Sequence, residues 1–274
     1  MLRVNGADSP GLAPFDLADR GLTLGDGLFE TIAVFGGEPA LLANHLDRMM
    51  AAAEEIRLPL DRVMLEAEVK ALAGQGGDRV IRLTATRGAG ARGLAIPENG
   101  ATTVIASSSP YPQGVVGAPI RLATVSVRRN PTSFTSRAKT LCYLDNVLAF
   151  DEAKRAGADD ALMLSAGGSA ACTSMANLFM VNDKLLVTPP LSEGVLPGIV
   201  RGLVLELATE LGLEPEERLV APGELAMADV VFATNSVRLV MPVTSMDGRS
   251  MGNDARVQVI AAAVAKACGA SRLG

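Results

Sequence analysis

The sequence predicts a mixed α+β protein built as two domains. Strand-like runs and helical patterns occur in both halves, yet they neither alternate cleanly enough for a doubly wound sheet nor repeat at solenoid spacing. Between the halves, SSSPYPQGVVGAP interrupts the periodicity with small polar residues, prolines and glycines, which puts a boundary near residue 115. Residues 1–114 are therefore expected to form a smaller α/β domain and residues 115–274 a larger α+β domain. With 274 residues, 49% of them apolar and 20% charged, the chain can bury a core in each.

The elements are expected in the following order. An extended run through Val34 meets a turn at Gly36-Gly37, and Asn44 is placed to cap a helix whose apolar positions are Leu46, Met49, Met50 and Ala53. Leu58-Pro59 breaks that pattern; a second helix follows from about Leu60 to Ala73, ended by Gly74, Gly76 and Gly77. Strands near Arg79 to Thr86 and Thr102 to Ser107 flank the Arg/Gly-rich TRGAGARG. The second half begins with a strand around Arg121 to Val127, an irregular approach to Lys139 and a helix near Leu144 to Arg155. Strands around Ala161 to Leu164, Asn177 to Val181 and Leu185 to Val187 come next, then a helix near Pro197, a strand around Val230 to Thr234 and a final helix.

Composition narrows the function classes. A net charge of -5 argues against a broad nucleic-acid or anionic-membrane surface. No apolar stretch approaches the roughly 20 residues a bilayer span requires, and MLRVNGADSP has no secretory pattern, so a soluble cytoplasmic protein is expected. Cys142, Cys172 and Cys268 form no disulfide framework, and no metal is expected. With His45 as the one histidine, a multi-histidine metal centre within one chain is excluded, and a hydrolytic triad would have to use that residue.

Five lysines occur, and four have ordinary settings in helices or at a hairpin turn. Lys139 instead follows the polar, irregular RRNPTSFTSRAK and precedes a helix. A desolvated lysine there can form an imine with an aldehyde or ketone, the alternative being an ion-paired surface lysine. In GVLPGIVRG, Pro197 and Gly198 suit a helix start that leaves the amides near Ile199 and Val200 for an anion, or simply a well-started core helix. Arg48 shares a helix face with His45 and can offer a guanidinium fork to a phosphate. Ser236 can donate another hydrogen bond to it or serve its own loop backbone.

Taken together, GDGLFET, HLDRM, RNPTSFTSRAKTLCYLDNVLAFDEA, GGSAACTSMANLFMVNDKLLVTPPLSEGVLPGIVR and VVFATNSVRLVMPV resemble the fold-type IV pyridoxal-phosphate family, in family order from about residue 20 to residue 243. That family contains branched-chain and D-amino-acid aminotransferases and 4-amino-4-deoxychorismate lyase. The resemblance implies two domains with pyridoxal 5'-phosphate held between them, commonly as a homodimer acting on a small anionic amino substrate. It implies that Lys139 attaches the cofactor and shuttles protons, and that Arg48, Ser236 and the amides of Ile199 and Val200 hold its phosphate. Tyr143 resembles the tyrosine beside the pyridoxal oxygen.

Cys172 departs from the pattern. It stands four residues after Gly168 and five before Asn177, where the family usually has a glutamate that pairs with the pyridine nitrogen. A neutral thiol cannot supply that charge, which should weaken transamination more than a reaction driven by aromatisation. IRLTATRGAGARGL resembles the lyases, with Arg82 and Arg92 as carboxylate contacts, and Phe29 resembles the lyase side as well. The expected reaction is release of pyruvate from 4-amino-4-deoxychorismate to give 4-aminobenzoate. D-amino-acid or branched-chain aminotransfer is the alternative, and a cofactor-binding homologue of little activity comes third.

Overall fold

A computed structural model of the protein describes residues 1–9, 13, 15–98, 100–252 and 254–270. They divide into two compact units, Met1–Pro112 with Ala138–Cys142 and Gln113–Arg137 with the residues from Tyr143 onward. The segment around Lys139, grouped with the second half on sequence, thus packs with the first unit.

The first unit is an antiparallel sheet with helices. Its elements are β1 (Leu2–Val4), β2 (Ala7–Ser9), α1 (Arg20–Leu24), β3 (Gly27–Phe35), β4 (Glu38–Pro39), α2 (Leu42–Glu55), α3 (Arg62–Ala73), β5 (Arg79–Thr86) and β6 (Thr103–Pro110). The strand order is β2-β1-β6-β5-β3-β4. Leu46 and Met49 of α2 and Leu65, Val69 and Leu72 of α3 are buried, at the spacing by which a helix stripe covers a sheet. The cap expected of Asn44 is not formed: α2 starts earlier, from Leu41 in a left-handed conformation with φ 52°, which leaves Asn44 inside the helix. Ser108–Pro110, expected as linker, continue β6, because their backbones pair with Arg79–Ile81 of β5 and ladder bonds outweigh the weak strand preference of serine.

A buried charge network fixes the entry to β3. Asp26 Oδ2 accepts from Arg20 Nε at 2.9 Å and from Arg87 Nε at 2.8 Å. The other nitrogens of Arg87 donate to the carbonyls of Arg57 and Ile56, both at 2.8 Å, and so satisfy the end of α2. One carboxylate thereby ties a helix end to a strand start. Gly27 is required at that start, since a Cβ there would lie 2.4 Å from the Ala85 carbonyl oxygen.

The second unit contains β7 (Ile120–Arg129), α4 (Phe134–Arg137), α5 (Leu144–Arg155), β8 (Asp160–Ser165), β9 (Ala170–Cys172), β10 (Asn177–Asn182) and β11 (Leu185–Thr188). After a 3-10 turn at Leu191–Glu193 come α6 (Ile199–Leu207), β12 (Glu214–Glu217), α7 (Pro222–Met227), β13 (Val230–Asn235), β14 (Leu239–Met246), β15 (Arg249–Ser250) and α8 (Ala255–Ala267). Strands run β12-β11-β10-β13-β14-β7-β8-β9, and β9 also pairs with β10 through Cys172 and Asn177. That last pair closes β10, β13, β14, β7, β8 and β9 into a ring, which removes their open edges. Apolar side chains fill it, among them Leu122, Leu162, Leu178, Met180, Val231, Met241 and Val243.

β14 was not among the expected strands, and it contains Pro242, a residue disfavoured in a central strand. The proline is accommodated because the ladder to β7 begins one residue later, at Val243–Ile120. The parallel pair β7–β8 needs a crossover, which α5 supplies. Among the described residues no helix is long and apolar enough to cross a membrane.

Candidate active site

In the first unit the candidate site residues Phe29, Arg82 and Lys139 gather near the start of β3. Residues 139–141 add to its free side: Phe29 N–H donates to the Lys139 carbonyl at 2.9 Å, Leu141 N–H donates to the Gly27 carbonyl at 3.0 Å, and Leu28 bridges Thr140. This local pairing fixes the backbone of Lys139. Its Nζ lies 4.2 Å from the centroid of the buried Phe29 ring, and the Arg82 guanidinium carbon lies 3.8 Å from the same centroid. Two cations therefore share one aromatic platform. Arg82 reaches it from β5, where Thr31, two residues along from Phe29, pairs with Arg82.

Glu30, beside Phe29 in the chain, is buried beneath α2. Arg48 donates to it through Nε at 2.8 Å and Nη2 at 2.6 Å, and His45 Nδ1 lies 2.7 Å from Oε2. Burial alone would raise the Glu30 carboxyl, but the charge of Arg48 and the hydrogen bonds from His45 and Arg48 outweigh it and bring it down to about 2. Burial also lowers His45, against the pull of Glu30, so the ring is neutral and carries its proton on Nδ1. The fork expected to clamp a phosphate through Arg48 is thus directed at Glu30. The carboxylate itself was passed over as a site residue, although its spacing from a His-x-x-Arg helix was legible.

The nearby charges govern Lys139. Burial is the largest influence and lowers it, Glu30 raises it, and Arg48 and Arg82 lower it further, leaving it at about 8. An amine poised there can be a nucleophile or hold a proton near neutral pH.

A pH prediction follows from Glu30. Its acidity is stronger folded than unfolded, so it contributes stability above its ordinary value of 4.5 that is lost as pH falls through that value toward about 2. Denaturant titrations should show a steeper acid loss for the wild type than for Glu30→Gln across this window; parallel slopes would contradict the assignment.

In the second unit a row of polar side chains crosses β9, β10 and β13. Cys172 pairs with Asn177, and Asn177 pairs with Thr234, so the three share one sheet face. Asn177 Nδ2 donates to the Leu196 carbonyl at 2.9 Å, and a Cβ on Gly198 would lie 1.9 Å from Asn177 Oδ1. Glycine alone permits this approach. Gly198 starts α6 without a side-chain cap, leaving the amides of Ile199 and Val200 as donors at the positive helix end. Thr234 Oγ1 is buried without a hydrogen-bond partner among the described residues. This hydroxyl was also missed, since the uniformly buried VVFAT run gives no alternation to mark a face.

Ser236 follows in a turn that Asn235 holds by accepting from the Val237 and Arg238 amides at 3.0 and 2.7 Å. Tyr143 occupies the residue before α5, half-buried. Burial pushes the Cys172 thiol up, Arg129 pulls it down and Asp160 adds to the rise; the net rise keeps it protonated at neutral pH. Arg129 holds the neighbouring backbone, donating to the carbonyls of Gly194 and Ser136. Arg92 is exposed in the irregular segment after β5, so it is Arg82 that the structure groups with Phe29.

Comparison with known proteins adds an independent line. The model of the family described as amino-transferase class IV matches residues 27–246. The chain is 36% identical over 246 residues to a provisionally named branched-chain-amino-acid aminotransferase from Methanocaldococcus jannaschii, covering 88% of this chain and 85% of that protein. It is 32% identical over 250 residues to the D-alanine aminotransferase of Bacillus licheniformis, covering 88% and 86%. Among solved structures, a 4-amino-4-deoxychorismate lyase from Pseudomonas aeruginosa superposes with a TM-score of 0.88 at 33% identity, covering 97% of this chain and 98% of that one.

Proposed function

The chain belongs to the class IV aminotransferase family, and from that premise we propose that it is a pyridoxal-phosphate enzyme moving the amino group of a small anionic amino acid to an oxo acid. The observation that carries the proposal is Lys139, a partly buried amine at about 8 beside an aromatic platform and Arg82. The donor set suits the cofactor. An uncapped α6 start, the close approach at Gly198 and the unpartnered Thr234 hydroxyl offer phosphate donors.

When bound, the cofactor supplies an aldehyde for amines and a conjugated ring that takes up electron density. In this reading, Lys139 would hold the cofactor through its amine and would take a proton from the substrate carbon and return one. The Ile199 and Val200 amides with Ser236 and Thr234 bind phosphate, Arg48 adds positive charge, and Tyr143 orients the ring oxygen. Arg82 pairs with a substrate carboxylate; Arg92 would join it only if its segment reaches the substrate.

The lyase expected from the sequence takes second place here, because the aminotransferase relatives favour amine transfer. Pyruvate release from 4-amino-4-deoxychorismate remains the second reading, favoured by the protonated thiol of Cys172 where a carboxylate is usual. Loaded enzyme supplied with amino donors and oxo acids, and separately with aminodeoxychorismate, should transfer amine; rapid pyruvate release with no transfer would reverse the order.

The family resemblance implies a homodimer. Leu144, Val147 and Leu148, exposed along one side of α5, offer apolar surface for a second copy to cover. Sedimentation should give a dimer that Val147→Glu weakens, whereas an unaltered dimer would remove α5 from the interface.

A further inference from the structure

Three cations converge around Phe29 and Glu30: Lys139 and Arg82 on the ring, and Arg48 from α2. Among the described residues, Glu30 is the carboxylate whose charge acts on Lys139. Its position is over-determined, with two bonds from Arg48 and one from His45, all between 2.6 and 2.8 Å. Such fixation offsets the desolvation that burial imposes on both charges. A structural ion pair could sit elsewhere on α2; this one occupies the strand residue next to the platform.

We propose that Glu30 is a positioning residue for Lys139, its fixed negative charge balancing Arg48 and Arg82 so that the amine can both lose and regain a proton near neutral pH. The catalytic meaning rests on Lys139 being the attachment lysine, but the electrostatic claim does not. Without Glu30, two unbalanced arginines would hold the amine neutral and deprive it of its acid role. His45, neutral and donating to Glu30, keeps the carboxylate in place without adding charge.

The test uses the full chain without cofactor. Lysines are reductively methylated with a 13C label, and each of the five resonances is titrated by NMR, with Lys139→Arg identifying one. In Glu30→Gln the Lys139 midpoint should fall by about one pH unit or more; in Arg48→Gln it should rise; in the double variant it should return toward the wild-type value, about 8. The other four lysines should not move. If Glu30→Gln does not fold, the step from Arg48→Gln to the double variant removes the same charge and must lower the midpoint. A Lys139 midpoint indifferent to Glu30 in both comparisons overturns the proposal. Because no cofactor is present, failure here is separable from failure of the proposed function, which would appear as an imine absorbance with pyridoxal phosphate unaffected by Lys139→Ala.

Discussion

Lys139→Ala should abolish the imine absorbance that pyridoxal phosphate gives with the wild type and lower turnover by about 10⁴-fold, because one residue supplies both the attachment amine and the proton carrier. Phosphate binding should survive, since the α6 start and the Thr234 hydroxyl are untouched. The cofactor would be retained without being bonded. An unchanged imine spectrum would show that another lysine is the attachment point. Stability should move the opposite way in Lys139→Met, which keeps the packing volume. The amine's pKa falls from 10.5 unfolded to about 8 folded, so its charge opposes folding most below the lower value, and the opposition fades as pH rises between the two. Chemical denaturation should find Lys139→Met more stable than the wild type at pH 7 by about 1 to 3 kcal/mol, a difference that closes toward pH 10. Equal stability at pH 7 would mean that burial does not set this amine.

Gly198→Ala should be a damaging single-methyl change in the second unit. The new carbon would fall 1.9 Å from Asn177 Oδ1 and 3.3 Å from Arg201 Cβ. Asn177 cannot retreat cheaply: it is buried in β10, flanked by Cys172 and Thr234, and its amide already donates to the Leu196 carbonyl. Overpacking of this kind costs about 1 to 3 kcal/mol, and relief requires the α6 start to shift, moving the Ile199 and Val200 amides off any bound anion. Calorimetry should record weaker binding of pyridoxal phosphate by about 100-fold, together with a lower melting temperature. Gly202→Ala, on α6 with open space around it, serves as the control. Equal affinity in the two variants would separate the helix start from phosphate binding.

Much of the fold was legible in the sequence. Arg79–Thr86 and Leu144–Arg155 were delimited by periodicity and by the glycines beside them. Local signals failed where a partner strand overrode them, as at Ser108–Pro110 and Pro242. The start of α2 escaped notice because it depends on the left-handed turn at Leu41, a residue type that seldom adopts it. Lys139, Arg48, Ile199 and Val200 were picked out by residue type and context. Glu30 and Thr234 were not, because their significance lies in which groups face them across strands and helices. The return of residues 138–142 to β3 likewise has no local pattern; it is a tertiary pairing of Thr140 with Leu28.

The β9–β10 closure carries a mechanical consequence. The joint consists of one residue pair, Cys172 and Asn177, followed by the tight turn in which Thr173 N–H donates to the Ala176 carbonyl. A hoop fastened by so short a clasp yields there before it yields along the five-pair seam between β10 and β13. Any loosening would release the thiol and the amide that confines Gly198 in the same motion, so the accessibility of Cys172 to solvent is a gauge of how firmly the helix start is held.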